Sequence, residues 1–339
     1  MIVASERPTI AAEPGSPPAF LITIDTEGDN IWSNPREVTT RNSLFLPRFQ
    51  ALCERYGFKP TWLTNYEMAR CRDYQDFARD VQRRGTGEIG MHLHAWDSPP
   101  IVPLPSPDEP QPLLIDFAVS TMRDKVAVMT DVLEDTFGTK MTSHRAGRWG
   151  FNAAYARLLV ERGYIVDCSV TPHVAWPAGS DYTGFPDDAY FLDLDDIARA
   201  AQPGAATLLE LPVTIAPAGT VARQLNTAVR HLPSLARRAV ARLAPAVHWL
   251  RPSGGNLSAM LELLRTRRAQ NRSYVEFMLH SSEFMPGGSP RFDTEAKIER
   301  LYEDMEQLFE QAAKAFRGAT LTEFATEVRS RPAPALSPL

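Results

Sequence analysis

The segment IDTEGD, residues 24–29, places three acids, Asp25, Glu27 and Asp29, directly behind the apolar run that begins at Phe20. A carboxylate at the dry end of a buried strand needs a partner, because an unpaired buried charge costs several kcal/mol. That partner is an arginine, a metal ion or a bound substrate. A second segment, GEIGMHLHAWD (87–97), carries His92 and His94. In an extended strand, side chains two residues apart point the same way, so these two imidazoles can reach one ion. Imidazole and carboxylate ligands together suit zinc or a similar divalent metal. An HxH pair alone is as readily two packed histidines; the acid cluster beside it favours the shared ion.

Two further segments belong with these. In SHRAGRWGFN (143–152), Arg145 and Arg148 flank the small pair Ala146–Gly147, so guanidinium groups can approach a closed site. An arginine beside Asp25 would hold that acid ionised. Alternation puts His144 on the face opposite Arg145, outside the set. In EFMLHSSEFMPGGSP (276–290), His280 ends an apolar run and suits general acid work near neutral pH. The PGGSP run after it reads as a loop able to wrap a ligand.

These residues need a scaffold that brings distant segments together. Strand-like runs at Phe20–Asp25, Thr61–Thr64, Ile89–His94, Ile165–Val170, Leu208–Val213, Val275–His280 and near Thr320–Leu321 alternate with helical patterns. One helix is expected over Ser43–Tyr56, stopped by Gly57, and another over Thr294–Arg317, stopped by Gly318. Strand and helix in repeated order argue for an α/β fold with a mostly parallel sheet. Seven or so strands in 339 residues, 44% of them hydrophobic, point to a barrel, closed or incomplete. No GxGxxG turn follows the first strand, which argues against a dinucleotide fold. Barrel chemistry collects at C-terminal strand ends, where Asp25, His92, His94 and His280 all fall.

Residues 211–261 hold six arginines and no acid. At helical periodicity Val221, Leu225, Val229, Leu232, Ala236, Val240 and Leu243 share one side and the arginines the other. We read an Arg-rich helical insertion at about 217–256, between the sixth and seventh strands. It fits either a hairpin on the barrel rim or a membrane-surface pair meeting a lipid-linked glycan through residues 221–250. The proline-rich ends, 1–18 and 330–339, read as disordered extensions of one barrel over 19–329.

A formal net charge of −5 gives no global reason to expect nucleic-acid binding. Three scattered cysteines, Cys53, Cys71 and Cys168, offer neither a disulfide framework nor a thiolate zinc site and suit a reducing compartment. Neither a signal-peptide run nor a bilayer-length apolar segment is evident, so a cytoplasmic protein, at most peripheral to the inner face of the membrane, is expected.

Taken in order, IDTEGD, EIGMHLHAW, HRAGRWG, DCSV and LHSSEFMPGGSP resemble the five motifs of the polysaccharide deacetylase superfamily, from Phe20 to about Thr322. The likeness is greatest to the branch associated with lipopolysaccharide and surface-polysaccharide biosynthesis. The resemblance implies a distorted (β/α)7 barrel with a divalent metal, usually zinc, that removes an N-acetyl group from an amino sugar. It implies Asp25 as catalytic base, Glu27, His92 and His94 as metal ligands, and Arg145 as the arginine that steadies the base. It further implies Asp167 as a supporting acid behind the ligands and His280 as catalytic acid. Two departures stand out: Trp96 occupies the place, four residues after His92, where relatives carry the second histidine, and Thr26 and Glu27 replace a second, adjacent aspartate. Either a variant metal shell exists, with Asp97 as a replacement ligand, or the barrel, without metal, binds sugar or serves as a scaffold. A glycosidase using Asp25 with Glu27 or Glu283 is the other alternative.

Overall fold

The computed structural model describes residues 10, 15–35, 37–104, 111–176, 179–202, 205, 207–219 and 246–331. Its strands are β1 (Ala19–Thr26), β2 (Pro60–Thr64), β3 (Glu88–Leu93), β4 (Ser143–Ala146), β5 (Val166–Asp167), β6 (Tyr190–Phe191), β7 (Leu209–Glu210), β8 (Ile215–Pro217), β9 (Val247–Trp249), β10 (Tyr274–His280) and β11 (Arg317–Ala319). The main sheet runs β10-β1-β2-β3-β4-β5-β7-β6, parallel throughout except for the antiparallel β6 at its edge. Every residue of β1 and β2 is buried, as expected for parallel strands covered on both faces.

The sheet curls into an incomplete barrel. Its open side, between β10 and β7, is bridged by irregular chain. The Tyr274 hydroxyl donates to the Pro212 carbonyl (2.7 Å), the Glu276 N–H to Thr214 Oγ1 (2.8 Å), and the Met278 N–H to the Leu250 carbonyl (3.3 Å). The expected α/β barrel is therefore the observed one, with its seventh parallel neighbour replaced by these contacts.

Helices cover the outside. In the helix Glu295–Ala313, Ile298, Leu301, Met305, Leu308 and Ala312 are buried, the stripe the sequence predicts. This helix stops short of Gly318, which lies in β11. A Cβ there would sit 2.2 Å from the Gly57 carbonyl oxygen, so Gly318 allows close passage of two backbones rather than a helix stop. The helix expected from Ser43 begins later: Arg41–Phe45 is a 3-10 turn and the α-helix spans Leu46–Arg55, with Pro47 in its first turn. Phe45 is consequently exposed, while Phe49 and Leu52 pack inward. Gly57 follows with φ 73°, in the left-handed region that favours glycine.

Of the expected N-terminal extension, Ile10 and Gly15–Pro18 are described, and the Ile10 N–H donates to the Ala189 carbonyl (3.1 Å). The helices expected over 221–243 lie outside the described residues, as does the tail from 332. The flanks of the Arg-rich segment are described: β8 and β9 pair as a two-stranded antiparallel ribbon. Cys53, Cys71 and Cys168 are unpaired thiols. No helix among the described residues is long and apolar enough to cross a membrane.

Gly318→Ala is expected to lower stability by about 1–3 kcal/mol, as overpacking does. Gly184→Ala, with open space around it, should change stability by less than about 0.5 kcal/mol. Denaturant unfolding of the two variants checks the contrast.

Candidate metal centre

Parallel register assembles the site. Asp25 on β1 pairs with His280 on β10, and His92 on β3 pairs with Arg145 on β4, so each pair projects to one face of the sheet. Glu27 follows the end of β1. Its N–H donates to Ser281 Oγ and its carbonyl accepts from that hydroxyl, both at 3.0 Å, which locks the two loops together.

Three ligand atoms converge. His92 Nε2 and His94 Nε2 are 3.0 Å apart, and Glu27 Oε2 lies 3.4 Å from the latter and 3.7 Å from the former. Arms of 2.0–2.1 Å at the tetrahedral angle put ligand atoms about 3.3 Å apart, the spacing of a zinc site. His92 Nδ1 is 3.0 Å from the Arg145 carbonyl, which can only accept, so Nδ1 carries the proton and Nε2 offers its lone pair inward. All three residues are buried. Burial alone would raise the Glu27 carboxyl, but His280, His92 and His94 outweigh it and hold its pKa well below the usual range. For His92, burial lowers the pKa, and Asp25 with Glu27 more than reverses that. Two carboxylates thus draw positive charge to this spot, and the residues present fit a divalent cation.

Trp96, four residues after His92, stacks its ring on His94 at 4.4 Å between centroids, 19° from parallel. Gly147 permits the neighbouring strand end to pass this close, since a Cβ there would lie 2.7 Å from His94 Cδ2. Asp97 does not complete the ligand set. Its Oδ2 is 3.9 Å from His94 Nδ1, the nitrogen on the far side of the ring, in a separate group with Glu67. Burial and the Glu67 carboxyl push the Asp97 pKa up.

Asp25 stands beside the three ligands. Arg145 Nη1 donates to its Oδ1 at 2.6 Å, while Oδ2 faces His280 Nε2 at 3.6 Å. Burial would raise its pKa; Arg145, then His92 and His280, bring it below the ordinary value. His280 Nε2 also lies 3.9 Å from Glu27 Oε1. On the other side of that ring, Glu283 Oε2 sits 3.2 Å from Nδ1 and accepts from Arg251 Nη2 (3.0 Å). Burial raises the Glu283 pKa, but Arg251 and His280 bring it down to about 2.

Other expected residues fall elsewhere. Asp167 accepts from Ser169 N–H (2.9 Å) and sits 2.6 Å from His144 Nδ1; among the described residues it touches neither Arg145 nor Asp25. His144, on the opposite face as expected, reaches the Tyr155 hydroxyl at 2.7 Å. Arg148 does not enter the site: with φ 52° it is exposed and donates to the Gln111 carbonyl. The sequence reading missed Glu276, which Arg145 also contacts, and Arg251. Glu276 was accessible to it, because four residues before His280 on one strand is the same face.

No protein-family model matches the sequence, and no curated protein sequence matches it. Solved structures do match. A Mycobacterium smegmatis protein assigned as a polysaccharide deacetylase shares 15% identity at TM-score 0.55, over 98% of this chain and 99% of that one. A Parabacteroides distasonis protein assigned as a glycoside hydrolase/deacetylase shares 12% identity at TM-score 0.60, over 96% and 73% respectively. The chain has the polysaccharide deacetylase fold. At these identities the likeness establishes the fold alone, and the chemistry must come from this chain's own residues.

Isothermal titration of metal-free protein with zinc is expected to show one tight site. Glu27→Gln, His92→Ala and His94→Ala should each weaken it by more than about 100-fold, beyond what a supporting residue costs. Asp97→Asn should retain binding at that site.

Proposed function

We propose that the protein is a zinc-dependent hydrolase that removes the N-acetyl group of an amino sugar in a surface polysaccharide or its precursor. The observation that carries this reading is the convergence of Glu27, His92 and His94 at tetrahedral spacing, with Asp25 and His280 facing the same point. A bound divalent ion there supplies Lewis acidity to the amide carbonyl and lowers the pKa of water.

The remaining roles belong to side chains. Asp25, ionised and gripped through Oδ1, keeps Oδ2 free to take the proton of water as its oxygen bonds to the carbonyl carbon. His280 holds a proton at Nε2, with Nδ1 facing both Arg251 Nη2 (3.0 Å) and Glu283 Oε2 (3.2 Å), and delivers it to the nitrogen as the C–N bond breaks. Acetate and a free amine leave. Trp32, 44% exposed and 4.9 Å from the His280 ring centroid, offers an apolar face on which a sugar ring can stack. Trp149, Trp176 and Trp249 cluster at 6.1–6.3 Å, and Trp149 lies 5.0 Å from the Arg145 guanidinium, forming a second aromatic wall.

Trp249 belongs to β9, so the Arg-rich segment springs from beside this wall. We propose that its arginines draw the protein to anionic lipid at the inner face of the cytoplasmic membrane, where a lipid-linked glycan would be met.

Acetate release from N-acetylated oligosaccharides and sugar nucleotides tests the reaction. Chelation should abolish it and zinc restore it, and Asp25→Asn should lower kcat by about 10²–10⁴-fold. New reducing ends without acetate would instead mark a glycosidase, and sugar binding without metal or product a binding barrel. Co-sedimentation with vesicles containing anionic lipid is expected at low salt and should fall as salt rises; no binding at low salt refutes the membrane contact.

A further inference from the structure

Arg145 is fully buried, and how its guanidinium is held decides what it can do for Asp25. It touches Asp25 through one nitrogen only, Nη1 to Oδ1 at 2.6 Å. A single contact of this kind does not fix the plane of the fork, unlike a bidentate pair. The plane is set by the other donors. Nε donates to the Cys168 carbonyl (3.1 Å), and Nη2 donates to Thr23 Oγ1 (2.7 Å) and to Glu276 Oε1. The Thr23 hydroxyl in turn donates to the same Glu276 oxygen at 2.7 Å, closing a small ring of hydrogen bonds.

Glu276 is an expensive residue to keep in this place. It is fully buried, and its second oxygen, Oε2, has no hydrogen-bond partner among the described residues. Burial raises its pKa to about 7, against the pull of Arg145 and Thr23. Asp25, Cys168, Glu210 and Tyr274 crowd around the same interior, and none of the four can supply positive charge. A buried carboxylate set beside another, with one arginine between them, is a poor device for stability alone.

We propose that Glu276 is a positioning residue for the reaction: it holds the second arm of Arg145 so that the first presents a fixed donor to Asp25 and leaves Oδ2 facing His280. Asp167, the acid that resemblance to the deacetylase superfamily implies in support, has other partners, and Glu276 on β10 takes the supporting place next to the arginine. The inference rests on the reading of Asp25 as the proton acceptor.

Glu276→Met keeps the volume and removes the acceptor; Glu276→Gln keeps an acceptor for both Arg145 and Thr23. The Met protein is expected to lose about 10–100-fold in kcat, as loss of a supporting partner does, with KM and zinc stoichiometry unchanged. The Gln protein should recover most of that loss. An unchanged kcat in the Met protein, or a loss confined to KM or to zinc content, overturns the proposal. Arginine side-chain NMR on ¹⁵N-labelled, metal-free protein reads the same contrast without substrate. Hindered rotation should keep the Arg145 Nη resonances separate in the wild-type and Gln proteins and merge them in the Met protein; separate resonances in all three overturn it. If the wild-type protein releases no acetate, the reading of the reaction fails, and the NMR contrast still decides how Arg145 is held. If the Met protein does not fold, Glu276→Leu, which also removes the acceptor, should lower kcat without moving KM, and an unchanged kcat there is equally fatal.

Discussion

The bond from Arg145 to Asp25 is the constraint on which the site depends, because it can form only where the sheet closes on itself. β1 and β4 are separated by β2 and β3, which in a flat sheet would set them about 14 Å apart. A guanidinium cannot span that distance along the sheet. It makes a 2.6 Å contact because the strands curl and Arg145 reaches across the interior, touching Glu276 on β10, one strand farther still. His280 needs no such reach: β10 is hydrogen-bonded directly to β1 and sets it opposite Asp25, 3.9 Å from Glu27.

Charge within this interior is arranged in layers. Deepest lies Arg145 with Glu276 and Thr23; above it, Asp25; at the mouth, the Glu27–His92–His94 group and His280, backed by Glu283 and Arg251. Each acid has a cationic or imidazole neighbour, which is what low dielectric demands of buried charge. A second polar group, His144 with Asp167 and Tyr155, lies on the other face of β4 and is kept apart from this stack by strand alternation. Two imidazoles and a carboxylate in one pocket, with a further carboxylate and imidazole beside them, are side chains of the kind that metal-assisted hydrolysis uses.

Long buried strands were legible in the sequence, and so were the residues at their ends. β1, β2, β3 and β10 are continuous apolar runs whose C-terminal residues carry the polar groups, so Asp25, His92 and His280 were found from pattern alone. β5, β6 and β7 are two residues each, too short to carry a period, and β4 was hidden inside the SHRAGR motif. Glu276 was overlooked because it stands in an otherwise apolar run, where its partners come from β1 and β4. Arg148 could not be placed from spacing, since its left-handed backbone turns the side chain out to the surface. Asp97 was legible as an acid near His94 but not on which nitrogen it would face, a matter of ring orientation set by Trp96 stacking.

The pairing of β1 with β10 joins the earliest strand to one more than 250 residues downstream. Until that late segment emerges and docks, a growing polypeptide holds Asp25 without its imidazole neighbour and Arg145 with one acid fewer to face. Assembly of the polar interior therefore waits on Tyr274–His280, and a product cut short of them would fold its early strands around an electrically incomplete heart.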